Sequence, residues 1–145
     1  MEKFDIPYKI YVIEQDNAKL FNRGMLLNIG YKYAKKDRCD YLVFHDVDML
    51  PVQVDYGYSD IPLHMATHFI IRDDKTNRTI FDQYFGGVVL FTKEQAEKTN
   101  GYSNDYWDWG QEDDDLFWRC DFENYTSKDI FKKYEKPLIL RDYCW

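Results

Sequence analysis

Cysteine is sparse and without pattern in this sequence. Its 145 residues include three, Cys39, Cys120 and Cys144. An odd number with no metal-ligand spacing excludes a disulfide framework. A reducing compartment is the simpler expectation. Basic runs are missing too, and the net charge is −7. Such a chain repels polyanions, so nucleic acid is not an expected partner. No apolar stretch approaches the roughly 18 residues of a membrane helix. Met1-Glu2-Lys3-Phe4-Asp5 lack the basic and apolar regions of a signal peptide. As it stands, the sequence reads as cytoplasmic. Repeats, low-complexity tracts and linkers are also missing. The length fits one domain, residues 1–145. Two sequons, Asn77-Arg78-Thr79 and Asn124-Tyr125-Thr126, are of a kind that arises by chance and carry little weight.

Aromatic and acidic side chains are what the sequence has in quantity. It carries 13 Tyr, 10 Phe and 4 Trp. Tyr and Trp pair an apolar face with a polar tip, which suits both cores and carbohydrate-binding surfaces. Most are expected in the core or at its boundary. Acid-rich clusters point to a cation as ligand.

The pattern along the chain is α/β. Tyr8 to Glu14 is apolar and rich in β-formers, which predicts a strand. Leu20, Gly24, Leu27, Tyr31 and Ala34 recur at steps of three and four, so Leu20 to about Lys36 reads as a helix. Tyr41 to His45 is a short continuous apolar run. It suits a central strand buried on both faces, as in a mostly parallel sheet. His64 to Arg72 and Thr79 to Tyr84 read as strands around a turn at Asp73-Asp74-Lys75. After Gly86-Gly87, Val88 to Phe91 is a further strand. Thr92 with Gln95 forms a capping-box pattern, and Asn100-Gly101 ends that helix. Tyr102 to Gly110 is aromatic loop. Glu112 to about Phe122 reads as a helix with acids in its first turn. Ser127 to Lys136 reads as another helix, and Leu138 to Leu140 as a last strand. Alternating strands and helices predict an α/β sandwich.

Two clusters carry chemistry. Asp46-Val47-Asp48 follows the buried run, where ligands bind in open α/β sheets. If the chain stays extended there, the two carboxylates diverge. If it turns, both reach one ligand. Hard oxygen donors suit Mg²⁺ or Mn²⁺, and such an ion bridges a diphosphate. The second cluster is Trp107-Asp108-Trp109-Gly110-Gln111-Glu112-Asp113-Asp114-Asp115. Four consecutive acids repel one another, although a helix start offsets part of the cost. Sugar C–H groups stack on indole faces while sugar hydroxyls seek carboxylates.

The sequence resembles the β-1,4-galactosyltransferase family, glycosyltransferase family 7, in four blocks. Phe21 to Gly30 resembles its FNRxxLLNxG segment. Phe44 to Pro51 resembles its F-x-DVDLLP metal motif. Tyr84-Phe85-Gly86-Gly87-Val88 resembles its YFGGV. Asn100 to Asp115 resembles its NGFxNxYWGWGGEDDD. The blocks come in family order and cover roughly Tyr11 to Cys120. The resemblance implies a GT-A-type fold with a mixed sheet flanked by helices. It implies inverting transfer of galactose from UDP-galactose to a glycan acceptor in β-1,4 linkage. Phe21 and Arg23 would contact the nucleotide. Asp46 would help hold the ribose and metal region, with Val47 and Gly87 also in the donor site. Asp48 would ligate Mn²⁺, or Mg²⁺. Tyr84 would border the donor and acceptor sugars and favour galactose by limiting room near the 2-position. Trp109 would lie beneath the sugars. Glu112 would bind sugar hydroxyls, and Asp113 would be the general base, also facing the acceptor.

The departures carry expectations of their own. Gln111 stands for the second glycine before the Glu, and Asp108 for the glycine between the tryptophans, so loop flexibility should differ. Tyr41 and Tyr58 stand where some members have disulfide cysteines. The family's Pro-Phe-Arg-Asn-Arg-like uridine motif has no counterpart before Tyr8. Its C-terminal Met-x-x-His or His-x-His ligands have none either. The expectation is the central and C-terminal part of a catalytic domain, truncated at both ends, with an unpaired sheet edge, weak metal binding and weak transfer. His45 is expected to be a packing or outer-sphere residue beside the metal motif. His64 and His68 are expected to pack rather than bind metal. A weakly active or non-catalytic nucleotide-sugar-binding domain and an N-acetylgalactosaminyltransferase are the other functions left open. N-acetylglucosamine, glucose and xylose all remain as acceptors. A longer family member would place the domain in the Golgi lumen.

Overall fold

A computed structural model describes residues 6–51, 54–66, 69–71, 85–125, 130 and 139–141. The elements run α1 (Arg23–Ala34), β1 (Tyr41–His45), β2 (Met49–Pro51), β3 (Leu63–His64), β4 (Phe69–Ile71), β5 (Val88–Thr92), α2 (Lys93–Lys98), α3 (Glu112–Phe122) and β6 (Ile139–Arg141). None of the described helices is long and apolar enough to cross a membrane.

Two small sheets organise the chain, with strand orders β1-β5-β3 and β2-β6-β4. In the first, β5 runs antiparallel to both neighbours, with Tyr41 opposite Thr92 and His45 opposite Val88. In the second, β6 pairs antiparallel with β2 and parallel with β4. The sheet content is therefore mixed. Tyr41 to His45 is a strand packed on both faces, but only Phe44 is fully buried, and among the described strands it lies at the edge of its sheet rather than the centre, paired antiparallel rather than parallel. The two-residue period explains the double coverage. Val88 and Leu90 of β5 join Met49, Val54, Leu63 and Met65 in one core, against which Tyr41 and Val43 pack. Val89 and Phe91 point the other way, into a second core with Phe44, Phe85, Tyr102, Leu116 and Cys120.

The helices start and stop for local reasons. Asn22 caps α1 by accepting the Met25 amide at 2.8 Å. Gly24, in the first turn of α1, faces the Tyr102–Ser103 backbone. A Cβ there would lie 2.5 Å from the Ser103 carbonyl oxygen, so only glycine allows this approach. Asn28 then clamps the same segment, donating to the Tyr102 carbonyl at 2.7 Å and accepting its amide at 3.0 Å. The Thr92–Gln95 capping box of α2 forms as its sequence predicts. The chain leaves that helix through Asn100 and Gly101 at φ 58° and 61°.

Two expected strands need revision, and other expectations fall outside the described residues. Tyr8 to Glu14 forms no strand, because no described strand lies beside it to complete a ladder. From Ile10 to Gln15 exposure alternates all the same, with Tyr11 stacked on Tyr33 and Ile13 against Gly30 of α1. His64 to Arg72 is not one strand. Its first strand ends at His64, although the Met65 amide still donates to the Val88 carbonyl at 2.8 Å, and a separate strand in the other sheet begins at Phe69. Thr79–Tyr84, the Asp73–Lys75 turn, His68 and, apart from Ile130, the Ser127–Lys136 helix lie outside the described residues.

Candidate functional site

The site begins where β1 stops. Asp46 leaves the strand with its amide donating to the Gly87 carbonyl at 2.8 Å. Gly87 sits at φ 74°, a conformation that favours glycine. The chain then turns, and the Met49 amide donates to the Asp46 carbonyl at 3.2 Å. Val47 occupies the corner and is 88% exposed. The chain therefore turns rather than staying extended, and Asp48 is close enough for its charge to act on Asp46. Burial raises the Asp46 carboxyl above the usual range; Arg23 opposes this, and the Asp48 charge adds to it.

Arg23, in the first turn of α1, is the hub of the site. Its Nε donates to Asp46 Oδ1 at 2.7 Å. Its Nη1 donates to Asp113 Oδ1 at 2.6 Å and Glu112 Oε1 at 3.3 Å. The guanidinium also lies over the Tyr102 ring, 5.3 Å from its centroid. One buried cation thus gathers three carboxylates from two distant segments. It does not neutralise them all. Burial pushes the Asp113 carboxyl up to about 7, against the pull of Arg23 and with the repulsion of Glu112 and Asp46. Arg23 Nη2 and the Tyr102 hydroxyl are buried beside this cluster, with no well-formed hydrogen bond to either among the described residues, although the two side chains lie close enough to interact. Burial holds the Tyr102 hydroxyl far above the usual phenol range.

Arg23 is the centre of a testable energetic claim. Arg23→Met should cost about 3–5 kcal/mol of stability near neutral pH, because it strands buried carboxylates without a counter-charge. The native Asp46 and Asp113 carboxyls already titrate high, so they take up protons first as the pH falls. Part of the loss should therefore return at about pH 5. Urea unfolding at the two pH values checks both statements.

The aromatic loop reaches the cluster through backbone. The Asp108 amide donates to the Phe21 carbonyl at 2.7 Å, tying the loop to the start of α1. The Phe21 side chain is half-exposed, and Trp109 is 92% exposed, open to a ligand face. Asp108 and Gln111 take φ 72° and 75°, and Gly110 takes 106°. The two non-glycine residues that depart from the family pattern thus occupy left-handed conformations, which cost roughly 1–2 kcal/mol each. Gln111→Gly should raise stability by about 0.5–1 kcal/mol, after allowance for the entropy of glycine in the unfolded chain. A rise in the urea midpoint at unchanged slope checks this. Gln111 also opens α3 without a side-chain cap, and four acids fill the first turn. Asp115 points elsewhere and pairs with Arg119 at 2.6 Å.

Comparisons with known proteins identify the relatives of this chain. Residues 1–59 match the N-terminal region of glycosyl transferase group 7. Residues 67–140 match a family described as the N-terminal domain of galactosyltransferase. The chain belongs to glycosyltransferase family 7. Rat β-1,4-galactosyltransferase 4 is 43% identical over 119 residues, which is 80% of this chain and 34% of the relative. Rat β-1,4-galactosyltransferase 6 is 42% identical over 130 residues, 87% of this chain and 33% of the relative. The family 7 chain thus spans about a third of the length of the curated relatives it matches. A mutant Drosophila β-1,4-galactosyltransferase 7, solved with manganese, UDP-Gal and xylobiose, superposes with a TM-score of 0.74 at 32% identity. That match covers 93% of this chain and 57% of the other. The fold is of the GT-A type, a partial domain with a mixed sheet flanked by helices.

Within this family 7 chain, Arg23, Asp46, Glu112 and Asp113 come together as one cluster. Val47, Asp48 and Gly87 belong to the adjoining turn. Phe21 lies two residues before Arg23 and is tied by backbone to the loop that carries Trp109, and Tyr84 lies outside the described residues. Among the described residues no three of His, Cys, Asp and Glu converge as a metal cage. His64 is a core residue, fully buried, with Nε2 2.9 Å from the Gly86 carbonyl. Burial lowers its pKa to about 4, which keeps the ring neutral. The hub role of Arg23 and the placement of Tyr102 against it were not read from the sequence. The signal for Tyr102 was present, because the family block has Phe at that place.

Proposed function

We propose that this chain catalyses inverting, Mn²⁺-dependent transfer of galactose from UDP-galactose to a sugar hydroxyl, forming a β-1,4 linkage. The observation that carries the reading is Asp113. It is a buried carboxyl with its acidity moved to about 7, held by the same arginine as Asp46, one turn from Asp48. A general base works best when its pKa lies near the working pH.

The residue roles follow from position and chemistry. Asp48, a half-buried hard donor on a turn, suits Mn²⁺ or Mg²⁺, with diphosphate and water supplying the remaining ligands. An ion held there would supply positive charge to offset that of a departing diphosphate. Arg23 holds Asp113 by Oδ1, leaving Oδ2 to take the proton from the acceptor hydroxyl as that oxygen attacks the anomeric carbon. Glu112 accepts hydrogen bonds from sugar hydroxyls. Trp109 offers an indole face to the sugars, and Phe21 flanks the nucleotide. Val47 and Gly87 complete the donor site, and the family resemblance assigns Tyr84 a role at the sugar. The xylobiose and UDP-Gal named for the Drosophila relative support a donor and acceptor of these classes. Calorimetry with UDP should give a binding heat in the presence of Mn²⁺ and little in its absence. Equal heats would count against the metal assignment.

A further inference from the structure

His45 and Tyr56 form a polar chain that ends on the turn carrying Asp48. His45 Nδ1 lies 2.8 Å from the Asp46 carbonyl oxygen. A carbonyl only accepts, so Nδ1 carries the hydrogen. His45 Nε2 lies 3.0 Å from the Tyr56 hydroxyl. In the neutral ring Nε2 then accepts, and Tyr56 donates. Burial pushes the Tyr56 hydroxyl up to about 12, so it keeps its proton. Tyr56 is itself tied back to β1, where the Tyr41 hydroxyl donates to its carbonyl at 2.6 Å. Its ring packs against the core below the turn.

The carbonyl at the end of this chain is the one that closes the turn. Asp46 O accepts the Met49 amide at 3.2 Å as well as His45 Nδ1 at 2.8 Å. Both of its lone-pair directions are in use. The turn decides where the Asp48 carboxylate points. A brace on that carbonyl therefore acts on Asp48 without touching a ligand. We propose that His45 and Tyr56 are positioning residues for the cation site at Asp48, acting through the Asp46 carbonyl. This rests on the assignment of Asp48 as the metal ligand given above. Outer partners of this kind typically contribute about 10–100-fold to metal affinity.

Two measurements test it. The first needs no metal. A long-range ¹H–¹⁵N spectrum of the metal-free protein should show His45 as the Nδ1–H tautomer. An Nε2–H tautomer would overturn the proposal. The second is Mn²⁺ affinity in the presence of UDP. His45→Leu should weaken it by about tenfold. His45→Asn, whose side-chain N–H can replace Nδ1–H but which offers no acceptor to Tyr56, should lose less than His45→Leu. Tyr56→Phe should weaken binding in the wild-type background and add nothing in His45→Leu, because the two act in series. Wild-type affinity in both His45→Leu and Tyr56→Phe would overturn the proposal. If His45→Leu fails to fold, Tyr56→Phe decides, since it deletes one oxygen. A wild-type protein with no Mn²⁺-dependent affinity would instead overturn the Asp48 assignment, with the tautomer still deciding whether the brace exists.

Discussion

Replacing Asp113 by Asn is expected to lower turnover by about 10²–10⁴-fold while affinity for UDP-galactose stays nearly unchanged. The amide keeps the shape and still accepts from Arg23, but it takes no proton from an acceptor hydroxyl. In the wild type, a base with its pKa moved to about 7 should make kcat/KM rise with pH and level off above neutrality. The variant should lose that rise. The fold should respond in the opposite sense. A carboxyl whose folded pKa is raised stabilises the native state at low pH, and that contribution is lost as pH climbs through about 7. Asn escapes the cost of a buried charge. Asp113→Asn should therefore be more stable than wild type by about 1–3 kcal/mol at about pH 8, with the gain gone below about pH 4. Activity and stability moving apart is the pattern of a strained functional group. Unchanged turnover in Asp113→Asn would move the base to Glu112 or elsewhere.

Asp48→Ala should remove Mn²⁺-dependent binding of UDP. A direct anionic ligand is lost, so the effect should exceed the about 10–100-fold that an outer partner contributes. No neighbour replaces it, because Arg23 holds Asp46 at 2.7 Å and Glu112 at 3.3 Å. The melting temperature should hardly change, since Asp48 sits half-buried on a turn rather than in either core. Calorimetry with UDP and Mn²⁺, paired with a thermal melt, separates the two effects. An unchanged Mn²⁺-dependent affinity would contradict the assignment.

Much of this architecture is local, and local features were legible. The capping box at Thr92 and Gln95 and the acid-filled first turn of Glu112 to Asp115 mark their helices without help from the fold. The apolar run Tyr41 to His45 signals a strand that packs on both faces, yet only Phe44 is fully buried and the strand lies at the edge of its described sheet. It says nothing of the neighbour's direction, and the antiparallel pairing with β5 had to be seen. Tyr8 to Glu14 has strand chemistry and, from Ile10 on, alternating exposure, yet a ladder needs a partner that no local pattern supplies. The site divides in the same way. Asp46, Asp48, Glu112 and Asp113 stand out as clustered acids. Their gathering by Arg23 spans 89 and 90 residues to Glu112 and Asp113, which no window on the sequence reveals. The residues at 108 and 111 were visible as departures from a glycine pattern. That they bear positive φ emerged only from the backbone.

The most direct test of the central claim is UDP release from UDP-galactose, measured with and without Mn²⁺ over a panel of sugar acceptors. The account predicts release that needs both Mn²⁺ and an acceptor hydroxyl, favours galactose over N-acetylgalactosamine as donor, and falls away in Asp113→Asn. Release that proceeds equally without Mn²⁺, or that Asp113→Asn leaves unchanged, would contradict it.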